Sequence, residues 1–354
     1  MADSGLFVAG VDVGGTNIEV GLVDQQHKVH ARKKAPTPTE GPDAVLSAIA
    51  DLVKAIDGDP IAAGVGIPGV VHEGRVLTVP NLGNWHEQVD LVNDLGDRLG
   101  VPVALGNDAN VGLLGEWLDG AARGARNVLG LWLGTGVGGA LILDGRPYVG
   151  ARGAAGEIGH VVVQVGGALC TCGRRGCAEG YAGRRSLRGV ASAMVDAGWH
   201  TSLFDIRDKK GKSNLTSKVW AEALDDEDPL ATKLFDTAIE MIGVAVGSAV
   251  NLLDIDTIVV GGGLAEKLGQ DLADRIADSA SPWMLQPSPD LRSSCPSWAT
   301  TPASSAPHRS GARRRSLVKP ASTLAHVRSL IFTLVCCSEG AGQAVTQGHR
   351  CGRP

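Results

Sequence analysis

Residues 6–23 read LFVAGVDVGGTNIEVGLV. Two runs rich in β-branched and aliphatic residues, Leu6 to Val13 and Ile18 to Val23, flank Asp12-Val13-Gly14-Gly15-Thr16-Asn17, so the stretch reads as two strands joined by a glycine turn. Without Cβ atoms in the way, backbone N–H groups in such a turn can approach phosphate oxygens. Thr16 adds a hydroxyl donor, and Asp12, at the end of the first strand, is placed to hold Mg²⁺ directly or through water. A plain Asp/Gly hairpin carries the same letters, so the wider pattern has to decide between them.

Working outward, Val29 to Ala35 is a third strand that completes an antiparallel meander, and Pro42 to Ile56 has helical spacing. Ile61 to Ile67 and Val101 to Leu105 are short strands, Asp108 opens a helix over Ala109 to Asp119, and Val128 to Leu133 and Gly138 to Leu143 form a second glycine-linked pair. Pro229 to Leu253 reads as a long buried helix, and Thr257 to Val260 as a strand. Strands alternating with helices indicate an α/β fold. The 354 residues, 44% of them hydrophobic, suffice for two domains, with boundaries read at 1–120, 121–291 and a tail over 292–354. With 49 Gly and only 4% aromatic residues, the core has to be built from Val, Leu, Ile and Ala. A net charge of -5 gives no basic field, which argues against nucleic acid and anionic membrane surfaces and for a small-molecule substrate. Met1 to Gly5 is not a basic segment leading into an apolar run, and Ser329 to Cys337 is too short to span a bilayer, so the expected location is cytoplasmic.

Leu133-Gly134-Thr135-Gly136-Val137-Gly138-Gly139 repeats the chemistry of the first turn, and two such turns can clasp one triphosphate. Gly261-Gly262-Gly263, after a strand, would let an adenosine ring lie against backbone. This arrangement resembles the actin-like ATPase and sugar-kinase superfamily, whose two-domain α/β fold closes over nucleotide and sugar in an interdomain cleft.

Gly106-Asn107-Asp108-Ala109-Asn110 follows a strand and opens a helix. A carboxylate at the positive end of a helix stays ionised yet can accept a proton from an attacking hydroxyl, and Asn107 can both donate to and accept from a sugar. Asp108 could equally serve as a helix cap. Further on, Gly156-Glu157-Ile158-Gly159-His160 precedes Cys170-Thr171-Cys172-Gly173-Arg174-Arg175-Gly176-Cys177-Ala178-Glu179. Three cysteines so close together, with His160 as fourth ligand, read as a closed and therefore structural Cys₃His zinc site, free buried cysteines being the bland alternative. Tying His160 to that loop would bring Glu157 and Glu179 onto one wall.

In this order, the Asp-Val-Gly-Gly-Thr, Gly-Asn-Asp-Ala-Asn, Gly-Glu-Ile-Gly-His and Cys-x-Cys-Gly-x-x-Gly-Cys-x-Glu motifs closely resemble the ROK family of sugar kinases and repressors, over about residues 5 to 291. The resemblance implies ATP-dependent phosphorylation of a hexose, with glucose to glucose 6-phosphate foremost and mannose, fructose or an N-acetylhexosamine as alternatives. It implies that Asp108 is the catalytic base and that Gly69, Asn107, Glu157, His160 and Glu179 contact the sugar, His160 using one ring nitrogen for zinc and the other for sugar. Gly14, Gly15, Thr16, Gly134, Thr135 and Gly136 would hold phosphates, and Gly261, Gly262 and Gly263 would border the adenosine. A homodimer or homotetramer is implied. Polyphosphate as donor, and a sugar-binding protein without turnover, stay open. The repressors of the family carry a helix-turn-helix segment ahead of the first phosphate turn, for which Asp12 lies too early in this sequence.

The texture changes at about Arg292. Residues 1–291 hold 24 basic and 37 acidic residues, whereas 292–354 hold nine basic and one acidic, Glu339, with four of the seven cysteines. The jump reads as a shift of reading frame, which sequencing the DNA around the Arg292 codon would test. The resulting Ser/Pro/Arg-rich tail, in place of a closing strand and helix, is expected to be poorly ordered.

Overall fold

The structure is a computed structural model that describes residues 6–79, 82, 84–285 and 318–320, the last three by backbone alone. The chain divides into two compact units. The first runs to Asp119 and takes back Val149–Ala154, while the second holds Gly120–Tyr148 and continues from Ala155. The return of Val149–Ala154, which packs Gly153 against Val71, had no periodic signal in the sequence.

In the first unit, β1 (Phe7–Val13), β2 (Asn17–Val23) and β3 (Val29–Pro36) form the antiparallel meander. Helix α1 (Pro42–Ala55) leads to β4 (Pro60–Ile67), parallel to β1. A small hairpin of β5 (Val70–His72) and β6 (Arg75–Thr78) follows, then α2 (Leu91–Leu99), β7 (Val103–Asn107) parallel to β4, and α3 (Asp108–Asp119). The sheet order is β3-β2-β1-β4-β7. α1 starts with Pro42 in its first turn, where a missing N–H costs nothing, and buries Val45, Leu46, Ile49 and Val53 at helical spacing. These pack with Val11, Ile18, Val20, Val65, Ile67, Leu91 and Leu95 into one core. Each fully buried side chain of this kind contributes about 1.5–3 kcal/mol.

The second unit repeats the plan. β8 (Val128–Leu133), β9 (Val137–Leu143) and β10 (Arg146–Pro147) form an antiparallel meander. The helices α4 (Glu179–Ala182), α5 (Arg184–Asp196), α6 (Leu203–Lys209), α7 (Ser217–Asp225) and α8 (Pro229–Leu253) precede β11 (Thr257–Gly261), which is parallel to β8. Then come α9 (Ala265–Ala280) and β12 (Val318–Pro320), parallel to β11. The order β10-β9-β8-β11-β12 matches that of the first sheet strand for strand. β12 thus holds the place that β7 holds in the first unit, three tail residues pairing with β11, while the rest of the tail, on which the expectation of poor order falls, lies outside the described residues. Parallel pairing needs only backbone groups, so it is blind to the composition that set the tail apart.

α8 is long and apolar enough to cross a membrane by length and composition. Its Leu230, Leu234, Phe235, Ile239, Ile242 and Val246 are instead buried in a core shared with Trp220, Leu272 and Ile276. Asp228 caps the helix by accepting from the Ala231 N–H at 2.8 Å.

Candidate functional site

The sequence-predicted residues divide between the units. In the first, Asp12, Gly66 and Gly106 lie in one row across β1, β4 and β7. Because these strands are parallel, the segments that leave their carboxyl ends, with Asp12 to Thr16, Gly69, and Asn107 to Asp108, emerge along one edge of the sheet. Open α/β sheets bind ligands at such an edge. The first turn is closed by Gly14 N–H to Asn17 O (2.9 Å) and held from β3's end by Thr37, whose hydroxyl donates to Gly14 O (2.6 Å) and whose N–H donates to Thr16 O (2.9 Å). The N–H groups of Gly15 and Thr16 have no backbone acceptor among the described residues, the condition an anion-binding turn requires. Thr37 carried no signal in the sequence, since an isolated threonine after a strand is commonplace.

Asn107 is committed on two sides. Its Nδ2 donates to Gly69 O (2.9 Å) and its Oδ1 accepts the Asn110 N–H at the start of α3 (3.1 Å), leaving one N–H and one lone pair for a ligand. Gly69 has φ of +107°, and a Cβ there would run into the Thr78 carbonyl, so only glycine presents its carbonyl to Asn107. Asp108 is open to solvent and its Oδ1 accepts the following N–H, of Ala109, at 2.8 Å.

Asp12 is solvent-accessible yet crowded by protein. Its carboxyl is pushed up to about 6, by lost hydration first, then by the negative charges of Asp108 and of Glu19, with Lys34 opposing. Glu19 lies directly opposite Asp12 in the β1–β2 register, a like-charge pair, and is itself offset by Arg32 at 3.2 Å and Lys34 at 3.7 Å. Water still reaches Asp12, so the repulsion from Asp108 and Glu19 is the contribution a bound cation would relieve, and the donor set suits Mg²⁺. A carboxyl that binds its proton more tightly folded than unfolded loses stability as pH rises from about 4 towards about 6. We expect Asp12→Asn to melt above the wild type at pH 7–8 in nucleotide-free, Mg²⁺-free buffer, with the two converging near pH 4. Calorimetry showing the variant equal or lower at pH 7–8 would refute this.

In the second unit, Gly134 N–H donates to Gly136 O (3.0 Å), while Thr135 and Gly136 N–H have no backbone acceptor among the described residues. The two turns are thus equivalent parts of the repeated plan. Gly262, with φ of +89°, packs on the backbone of Leu133, so the third glycine turn lies beside the second. His160 ends a 3₁₀ turn (Ile158–His160), and Glu157 immediately precedes that turn. One ring nitrogen of His160 and the Sγ atoms of Cys170, Cys172 and Cys177 all lie within 4.8 Å of one another, with Cys170 to His160 Nδ1 at 3.8 Å and Cys172 to Cys177 at 3.7 Å. A tetrahedral ion with Zn–S bonds of about 2.3 Å needs sulfur separations of about 3.8 Å, so these four residues fit zinc. With Nδ1 turned to the cluster, Nε2 is the nitrogen left for another partner. Burial pushes the Cys170 thiol up to about 12, whereas the Arg174 backbone N–H foremost holds Cys172 down at about 6.

Glu179 does more than the sequence foretold. Its Oε2 accepts the Val137 N–H at 2.9 Å, and its Oε1 accepts from Thr171 Oγ1 at 2.7 Å and contacts Cys170 Sγ at 3.7 Å. One carboxylate therefore joins the cysteine loop to the second glycine turn. Cys170 Sγ thus touches both His160 Nδ1 at 3.8 Å and Glu179 Oε1 at 3.7 Å. A separate open groove of about 830 Å³ among α7, α8 and α9, with Lys233, Asp236 and Arg275 in its lining, includes none of the candidate residues.

The chain matches the ROK family over residues 8–295. It is 35% identical over 271 residues to the N-acetylgalactosamine kinase AgaK of Shewanella sp. (strain ANA-3), covering 73% of this chain and 82% of that one. It is 33% identical over 281 residues to a glucokinase of Streptomyces coelicolor, covering 78% and 87%. Among solved structures, a ROK family glucokinase from Streptomyces griseus in complex with glucose and AMPPNP superimposes with a TM-score of 0.72 at 29% identity, covering 92% of this chain and 97% of that one. The duplicated sheet is that of the actin-like ATPase and sugar-kinase fold, and with its two glycine turns, its Gly-Asn-Asp-Ala-Asn segment and its Cys₃His loop the chain belongs to the ROK family.

Proposed function

We propose that the protein is an ATP-dependent hexose kinase that converts glucose to glucose 6-phosphate in the cytoplasm. The observation that carries this reading is the pair Asp12 and Asp108, brought close enough on the edge of the parallel strands for one carboxylate to raise the other's pKa. Phosphoryl transfer needs charge neutralisation and alignment more than covalent chemistry. Mg²⁺, when bound, would supply positive charge at the transferring phosphate, and Asp12 is the residue that would hold it. Asp108 takes the proton of the sugar hydroxyl, Asn107, Glu157, His160 and Glu179 with the Gly69 loop orient the ring, and the turns at Gly14–Thr16 and Gly134–Gly136 bind phosphate oxygens. Gly261 to Gly263 border the adenosine. The zinc of the cysteine cluster is structural, because four protein ligands leave it no open position.

A second reading, phosphorylation of an N-acetylhexosamine, is favoured by the similarity to the N-acetylgalactosamine kinase, which matches that to the glucokinase. An ADP-coupled assay with Mg²⁺-ATP over glucose, mannose, fructose, N-acetylglucosamine and N-acetylgalactosamine separates the two. We expect kcat/KM for glucose to lead the others by about tenfold, or about 1.4 kcal/mol of transition-state discrimination. A lead for an acetamido sugar selects the second reading, and no turnover with any hexose overturns both in favour of a sugar-binding protein.

A further inference from the structure

The N-terminus of α5 lies on the second glycine turn. Arg184 N–H donates to Gly134 O at 3.2 Å, Arg185 N–H donates to Thr135 O at 3.1 Å, and Arg184 Nη2 reaches Thr135 Oγ1 at 3.4 Å. The guanidinium of Arg184 differs from those of Arg32, Arg75, Arg98, Arg126, Arg207 and Arg275, each of which sits in an ion pair. Among the described residues no carboxylate comes within ion-pair distance of Arg184. Its Nε is buried with no hydrogen-bond partner. Burial lowers its pKa, and no acidic neighbour counters that effect.

A half-desolvated cation without a counter-ion is costly, and such groups concentrate where a ligand supplies the missing charge. The ligand that fits is an anion: beside the guanidinium lie the Thr135 hydroxyl and a turn whose Thr135 and Gly136 N–H groups lack backbone acceptors among the described residues, while the Glu179 carboxylate at that turn is taken up by the Val137 N–H and the Thr171 hydroxyl and lies outside ion-pair distance of Arg184. A guanidinium offers a planar fork of donors that matches phosphoryl oxygens, which a nearby backbone turn cannot do by itself. We propose that Arg184 binds a phosphoryl oxyanion of the phosphate donor, acting together with the turn Gly134 to Gly136. The proposal rests on the kinase reading above and adds to it a donor-binding residue that lies outside the glycine turns, five residues beyond Glu179 in the chain.

The test is equilibrium binding of ATP, tripolyphosphate and adenosine to the wild type, Arg184→Gln and Arg184→Lys. Glutamine keeps a donor for Thr135 while removing the charge. Expected for Arg184→Gln is an affinity for ATP, and for tripolyphosphate where the wild type binds it, weakened about tenfold or more, with adenosine and hexose affinities unchanged within about twofold. Arg184→Lys, which keeps the charge without the fork, should recover part of the loss. Unchanged ATP affinity in a folded Arg184→Gln protein overturns the assignment, as does an equal loss for ATP and adenosine, which marks a merely structural role. A wild type that binds hexose but neither ATP nor tripolyphosphate instead overturns the kinase reading itself.

Discussion

Asp108→Asn is expected to lower kcat by about 10²–10⁴-fold, the usual contribution of a general base, while the hexose dissociation constant stays within about threefold. The substitution is chosen because the structure gives Asp108 a second occupation. Its Oδ1 accepts the Ala109 N–H at the start of α3, and a helix start prefers Asn as much as Asp. If Asp108 were only a cap, asparagine would preserve both stability and turnover. If it is the base, the amide keeps the hydrogen bond and the shape but cannot take a proton. A second readout is independent of turnover. Removing the charge of Asp108 removes part of the repulsion that raises the Asp12 pKa, so Asp12 should titrate lower in the variant. Retention of more than a few per cent of wild-type kcat by a protein of unchanged melting temperature would end the assignment.

Cys177→Ser should abolish zinc binding and destabilise the second unit. Cys177 is fully buried, and the loop it anchors carries backbone bonds from Ala178 N–H to Val161 O and from Cys170 N–H to Arg174 O. Structural zinc sites supply on the order of 10 kcal/mol or more to the segments they fold. Even if only about 4 kcal/mol of this reaches the whole unit, the melting temperature should fall by about 8–16 °C. The loss should extend to nucleotide, because Thr171 on the loop donates to Glu179, and Glu179 accepts the Val137 N–H at the second turn. Metal analysis of the purified wild type should find about one zinc per chain. A zinc-free wild type with the same melting temperature as the variant would dismiss the metal.

Much of this protein was legible before any coordinates. β10, the exposed pair Arg146–Pro147, carries no apolar run, whereas the strand pairs β1–β2 and β8–β9 show their own apolar runs, the turns within them their own glycines, and α8 its own period, because these depend on residues a few positions apart. The same holds for the cysteine cluster, where the loop between Cys170 and Cys177 is too short to place the thiols anywhere but together. Elements with weaker patterns, such as α2 and α5, whose buried residues are only Leu91 with Leu95 and Leu187 with Ala191, escaped notice for the same local reason.

What the sequence determined by itself, then, was the inventory: strand, turn and helix in order, a Cys₃His cluster able to hold a metal, and the residue types able to bind phosphate and take a proton. Only the tertiary structure decided how that inventory is shared out. The parallel register of β1, β4 and β7 sets Asp12 beside Asp108, Glu179 bridges the cysteine loop and the second turn, Arg184 is left beside that turn without a counter-ion, and Val318–Pro320 takes up the strand position next to β11. The physical reason is that strand pairing and charge proximity act through space between residues far apart in the chain, and no periodicity within either partner records which distant segment it will meet.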